Sequence, residues 1–392
     1  SSQFDGSFDH FVRRNIDQNT ARVGAHYSLS PQTDIIASAI YTDRDSIIKY
    51  PNINYTAELN AKGYQAEAQL LHKADDFNFM VGLGTYALDT ETIGFSSSGR
   101  IEQDIAYGYA NIKWPEHFIW TAGLSYQSDN NPTLNRNELN PKLGVQWAIN
   151  NNLSLRAAAF QTVRRTYIIE QTIEPTQVAG FNQFFDDLNL TLSKNYGFGL
   201  NVRFNNQLLG GLEAVRRDLE VPVGFQGSEP FEIEKDQEDV YQAYLYWLPN
   251  PRWAVTAAWR YEGFKLQEGQ LLRQLYFSTP FELKTTSIPL NIRYFDPSGF
   301  FAGLGVTYVN QDIRNLDQQS LAVLPTQSED FILVDAGLGY RLPRRWGIVA
   351  LETRNLFNQQ FQFQDYSFQT PVNAVNPRFI PERTIFARFV LN

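Results

Sequence analysis

The feature that most constrains this chain is a period of two. In NYGFGLNVRFNN (Asn195–Asn206), Tyr196, Phe198, Leu200, Val202 and Phe204 fall on one side, and Gly197, Gly199, Asn201 and Arg203 on the other. Successive side chains of a β-strand point to opposite faces, so such a segment has one apolar and one polar face. The alternation recurs. Ala21, Val23, Ala25, Tyr27 and Leu29 oppose Arg22, Gly24, His26 and Ser28, while Phe118, Trp120, Ala122, Leu124 and Tyr126 oppose Thr121, Gly123, Ser125 and Gln127. Ile332, Val334, Ala336, Leu338 and Tyr340 oppose Asp335, Gly337 and Gly339. Each apolar face must meet either a protein core or lipid.

The punctuation between segments favours lipid. Short turn signals such as Ser30-Pro31-Gln32-Thr33, Asn150-Asn151-Asn152, Asn205-Asn206-Gln207, Pro249-Asn250-Pro251 and Asp296-Pro297-Ser298 recur. They come roughly every 45 residues, the length of two strands and a longer excursion. Between them lie polar stretches, Asp43–Asn60, Pro222–Glu238 and Asn310–Glu329, that read as long loops. Tight turns alternating with long loops mark an outer-membrane barrel. The segments, roughly 10 to 13 residues each, are long enough to cross a bilayer at a tilt. A propeller repeats at a similar length but needs four short strands per blade. Aromatics cluster beside the turns, among them Tyr27, Phe77, Trp114, Phe118, Trp147, Phe204, Trp247, Trp253, Tyr294, Tyr340 and Trp346, as an interfacial girdle requires.

The expected fold is therefore all-β, a closed antiparallel transmembrane barrel in a bacterial outer membrane. About 17 segments can be counted, and bacterial barrels have even strand numbers, so about 18 strands are expected, with 16 as the alternative. The missing strand would lie within residues 4–16 or upstream. Residues 1–18 read as a lead-in or partial first strand, and 19–392 as the barrel.

Composition agrees with this class. No run approaches 18 apolar residues, and mean hydropathy is negative, as alternation makes it in barrels. Cysteine is absent, which removes disulfide, thiolate-metal and cysteine-nucleophile chemistry. A net charge of -9 argues against nucleic acid as a partner. The opening SSQFDGSFDHF lacks a basic and apolar leader, so either a signal was removed or the chain is the later part of something longer. His10, His26, His72 and His117 are scattered, and no nucleophile elbow or zinc-binding His pair occurs. No catalytic residue, metal or cofactor is expected, and the chain does not read as an enzyme. The Gly-x-Gly pairs (Gly82/Gly84, Gly197/Gly199, Gly303/Gly305, Gly337/Gly339) precede no helix, so they read as relief of crowding inside a curving wall.

The C-terminal region carries a resemblance. ALETRNLFNQQFQFQDYSF (Ala350–Phe368) followed by PRFIPERTIFARFVLN (Pro377–Asn392) resembles the last two strands of TonB-dependent receptor barrels. The matching positions are Asn355, Leu356, Phe357 and Asn358, then Pro381 and Arg383, within about 40 residues. The family's plug domain and TonB box have no counterpart here, and 18 strands fall short of its usual 22. The loop RTYIIEQTIEPTQVAGFNQFFDD (Arg165–Asp187) is similar to one in plugless barrels that follow tetratricopeptide modules in envelope proteins. That second resemblance implies a periplasmic module or assembly partner on the N-terminal side, besides the outer-membrane lipid around the wall.

Inward-facing charges should line the lumen: Arg22, Glu67, Arg203, Arg260, Glu262, Arg293, Asp335, Glu352 and Arg388. They either set the selectivity of a polar conduit or pair across the wall and brace it. The aromatic loops (Phe181, Phe184, Phe185; Phe361, Phe363, Tyr366, Phe368) either bind a partner outside or fold inward as a constriction. The leading expectation is a porin-like or export conduit. The alternatives are a TonB-dependent uptake barrel and a surface anchor.

Overall fold

A computed structural model describes residues 13–50, 54–93, 97–131, 134–165, 171–185, 187–223, 232–268, 280–317, 322–364, 379 and 382–391. Among the described residues it is a barrel of 17 antiparallel wall strands connected in sequence order. The first half comprises β1 (Arg13–Ser30), β2 (Thr33–Tyr50), β3 (Tyr55–Lys73), β4 (Phe77–Ile93), β5 (Ser97–Ile112), β6 (Phe118–Asn130), β7 (Arg136–Asn150) and β8 (Leu153–Val163). Two short strands, β9 (Gln177–Val178) and β10 (Phe181–Asn182), form a separate hairpin outside the wall. The wall resumes with β11 (Leu192–Arg203), β12 (Leu208–Val223), β13 (Glu232–Asn250), β14 (Trp253–Glu268), β15 (Glu282–Phe295), β16 (Phe300–Arg314), β17 (Gln327–Arg341), β18 (Gly347–Arg354) and β19 (Thr384–Leu391).

An odd number of antiparallel strands leaves β1 and β19 running the same way, each from a long-loop end to a short-turn end. Among the described residues no ladder joins them. Of the stretch in which an extra strand was expected, residues 13–16 form the start of β1, and 4–12 lie outside the described residues. β1 thus begins inside residues 1–18, the stretch read as a lead-in or partial first strand.

The lipid and lumen faces follow the alternation. Val23, Tyr27, Leu83, Leu124, Tyr196, Phe198, Leu212 and Leu338 are exposed on the outside, as lipid contact requires. Their neighbours Gln65, Gln69, Ser125, Gln127 and Asn195 are buried on the inside. From Leu209 to Val215 the alternation is weaker in sequence, but pairing with β11 assigns the faces. Leu212 lies opposite Leu200 and Ala214 opposite Phe198, so both face lipid, while Glu213 and Val215 face inward.

The tight turns are built by short polar side chains. Asn150, Asn205 and Asn250 each accept, through the side-chain carbonyl, the backbone N–H two residues on, and Asp296 does the same with Ser298. This Asx turn closes the chain locally, which explains why Asn and Asp mark these reversals. Hydrogen bonds from Ser298 and Tyr294 hold the Asp296 carboxyl down to about 2. Beside the turns the girdle aromatics pack together, Phe118 stacked on Trp147 at 5.2 Å and Trp253 inclined against Tyr294 at 4.9 Å.

The opposite end corrects the sequence reading. Asp43–Asn60 is not a long loop, because β2 runs to Tyr50 and β3 starts at Tyr55. Pro222–Glu238 and Asn310–Glu329 likewise contribute strand at both ends. Wall strands span 8 to 19 residues, wider than expected. Pairing continues beyond the apolar band because backbone hydrogen bonds are satisfied there as well, and polar side chains suit water on both faces. Lys62–Asp43 at 3.1 Å and Arg100–Asp89 at 3.1 Å join neighbouring strands in this zone.

Candidate functional site

The lumen is not empty. Between β8 and β11 the described residues 171–185 and 187–191 pack against the inner face of the wall. The ends of this segment are pinched by Arg164 N–H to Thr191 O (2.8 Å) and Leu190 N–H to Arg164 O (2.9 Å). Inside, β9 and β10 reverse through Ala179 (φ 47°) and Gly180 (φ 86°), two consecutive positive-φ residues of the kind a tight hairpin needs. Val178, Ala179 and Phe181 are buried with Ala158 and Phe160 of the wall. A Cβ on Gly197 would sit 2.5 Å from the Phe181 ring. One on Gly199 would meet Arg156, whose guanidinium stacks 4.6 Å from that ring and donates to Gly180 O. The glycines of the opening motif are therefore the floor under an inward segment.

Polar contacts tie this segment to strands far apart in sequence. Gln65 and Gln69 of β3 donate to the carbonyls of Gln171 (2.6 Å) and Ile173 (3.0 Å). The Glu67 carboxylate accepts from the Thr172 hydroxyl (3.0 Å) and the Ile173 N–H (2.6 Å). Arg22 of β1 donates to Gln171. Arg165 pairs with Glu174, both almost wholly buried, and Tyr109 of β5 donates to the same carboxylate. Arg217 of β12 bridges Asp187 of the segment and Glu238 of β13, and lies 3.7 Å from the Phe185 ring. Breaking a buried pair by removing one partner costs about 3–5 kcal/mol, because the other charge stays dehydrated. Arg217–Asp187 is the pair that joins the segment to the wall, Arg165–Glu174 braces the segment internally, and the hydrogen bonds with Arg22, Gln65, Glu67, Gln69 and Tyr109 complete the latch.

A second inward element lies across the lumen. β18 leaves the wall at Asn355 (φ 50°), whose side chain accepts the Gln359 N–H and donates to the Gln359 carbonyl, each at 2.8 Å. The Asn355–Asn358 motif thus redirects the chain. Gln364 then exchanges backbone hydrogen bonds with the Gln311 amide (2.8 and 2.9 Å), and Phe361 stacks on the buried Phe331 of β17 at 4.0 Å. Tyr366, Phe368 and Pro381 lie outside the described residues.

The nine inward charges expected from sequence divide into groups. Arg22 and Glu67 bind the first inward segment. Arg260 and Glu262 pair on β14 at 2.8 Å. Arg203 lines a recess at the short-turn mouth beside Asn201 and Tyr244. Arg293, Asp335, Glu352 and Arg388 converge on one lumenal cavity, where Arg388 and Glu352 are 3.6 Å apart. Sequence reasoning missed Arg156, Arg165, Glu174, Asp187, Arg217 and Glu238. The available signal was a charged residue breaking an otherwise apolar inward row, as Arg217 does before Leu219, Val221 and Val223.

A family model described as "TonB dependent receptor-like, beta-barrel" matches residues 1–220, more than half of the chain. The chain belongs to that family. No curated protein matches it. Among solved structures it is similar to the FrpB iron transporter from Neisseria meningitidis (F3-3 variant), with a TM-score of 0.73 and 12% identity over 95% of this chain and 62% of that one. It is similar to the ferric citrate transporter FecA in the unliganded form, with a TM-score of 0.65 and 14% identity over 97% and 62%. A mutant ferric enterobactin receptor (PfeA) from Pseudomonas aeruginosa gives 0.63 and 12% over 95% and 61%. Identities this low speak for the fold, and the chain spans less than two thirds of each neighbour. TonB-receptor-like barrels are outer-membrane proteins, so this chain is a β-barrel of the bacterial outer membrane. The family match, over more than half of the chain, favours the TonB-receptor-like reading over the porin-like one.

Proposed function

We propose that this TonB-receptor-like chain is the barrel of an uptake receptor whose lumen is constricted by its own segment Arg164–Thr191. One observation carries the reading: that segment is held inside by the buried Arg217–Asp187 pair, by the hydrogen bonds on Glu67 and by the Phe181–Gly197 seat. A passive porin needs a standing aqueous path. A receptor needs a closed path that opens when its ligand or an energising partner acts, and a latch built from discrete polar contacts can be switched. The surrounding lipid and an envelope module or assembly partner on the N-terminal side belong to the same proposal. No enzymatic step is assigned to the chain.

Planar-bilayer recording of the refolded chain tests this. The expected result is a low resting conductance, with larger openings once Glu67 and Arg217, which hold the segment from the wall, are both replaced by Ala. Steady porin-like conductance from the unaltered barrel would refute the constriction and return the passive conduit to first place.

A further inference from the structure

The half of the lumen opposite the inward segment holds a cavity of about 480 Å³ on the inner face of β15–β19. Its volume falls in the range of small-molecule sites, ~300–1,000 Å³. The floor is hollow because Gly303, Gly305 and Gly337 place no side chain there. A Cβ on Gly303 would meet nothing closer than 3.8 Å, so this position opens onto unfilled space.

The rim is rich in guanidinium. Arg388 is engaged with Glu352, and the Asp335 carboxylate accepts the Asn355 N–H at 2.9 Å. Arg354 lies over the Phe386 ring at 5.3 Å and has no carboxylate partner among the described residues. Arg293 makes no hydrogen bond or ion pair there at all. Both carboxylates of the cavity are thus engaged, while two guanidiniums remain free to accept a ligand. Guanidinium forks match carboxylate and phosphate oxygens in bidentate geometry.

We propose that this cavity is an anion-binding subsite on the transport path, taking solutes that carry carboxylate or phosphate groups, with Arg293 and Arg354 as the binding residues. The assignment rests on the uptake reading above and names the chemical class of what passes. Gly303 sets the room, and Arg293 supplies the charge.

Titration calorimetry of the full refolded chain with malonate and, separately, inorganic phosphate tests the site. Saturable binding of at least one is expected, and the better ligand shows which oxyanion the site prefers. Losing a charge-assisted contact weakens binding about tenfold or more, and Arg293→Gln should do so. Gly303→Val, which fills the hollow without changing charge, should weaken it similarly, whereas Arg100→Gln, at an exposed strand end, should leave it unchanged. Heat-modifiable gel migration confirms that each variant is folded. Absence of saturable binding, or unaltered binding by both Arg293→Gln and Gly303→Val, overturns the proposal. The conductance measurement is independent: an open barrel that still binds malonate through Arg293 would sink the constriction reading alone.

Discussion

Replacing Arg217 by Ala is the sharpest probe of the latch. Arg217 is 4% exposed and sits between Asp187 (7%) and Glu238 (2%), so the substitution removes the guanidinium that both buried carboxylates bind. It also removes the stacking on Phe185 and a 3.2 Å bond to Asn195. The cost of orphaning a buried partner is about 3–5 kcal/mol. Glu238 is on the wall and stays put, but Asp187 can rehydrate if the segment leaves the lumen. Assigning about half of the penalty to Asp187 gives roughly 1.5–2.5 kcal/mol in favour of the displaced state, on the order of tenfold to seventyfold in population. Single-channel records should then show the ratio of open to closed time raised by that factor. Lys62→Ala serves as control, since its exposed pair with Asp43 is worth about 0–1 kcal/mol. If folded Arg217→Ala barrels gate like the unaltered protein, the ion pair does not hold the segment and the reasoning fails.

Other consequences follow from the same geometry. Leu212→Arg puts a charge on the lipid face and should destabilise the barrel by about 2–4 kcal/mol in urea unfolding from bilayers, whereas lumen-facing Ala258→Arg should cost much less. Equal costs would contradict the face assignment. Gly197→Val should collide with the Phe181 ring and cost about 1–3 kcal/mol, and Phe181→Ala in the same chain should restore part of that loss. A double variant no better than Gly197→Val would refute the seat. Phe331→Ala removes the ring that Phe361 stacks on and should cost about 3–5 kcal/mol, read as a lower urea midpoint. It should also speed proteolysis within Gln359–Gln364, and unchanged cleavage there would detach that segment from Phe331.

Much of this fold was legible because lipid imposes a rule that is local in sequence. A strand between lipid and lumen must alternate, so Tyr196, Phe198 and Val202 declare their face without knowledge of any partner. The turns were legible for a similar reason: Asn150, Asn205, Asn250 and Asp296 cap their own backbone two residues on. The Asn355–Asn358 motif announced a reversal near the end of the chain, and its side chains perform it. Strand ends were less legible. Polar strand extensions and true loops have the same composition once both faces meet water.

The inward segment is the part that only tertiary structure decided. Nothing between Arg164 and Thr191 says whether its aromatics meet solvent outside or glycines inside. The closing of the wall brings Glu67, Tyr109, Gly197 and Arg217, from four different strands, round the same few residues. Sequence alone set the faces, because each strand answers to its immediate solvent. Whether the lumen is open depends on contacts between residues up to 149 positions apart, such as Arg22 and Gln171. A barrel creates those contacts only when its curvature turns distant strands toward one axis.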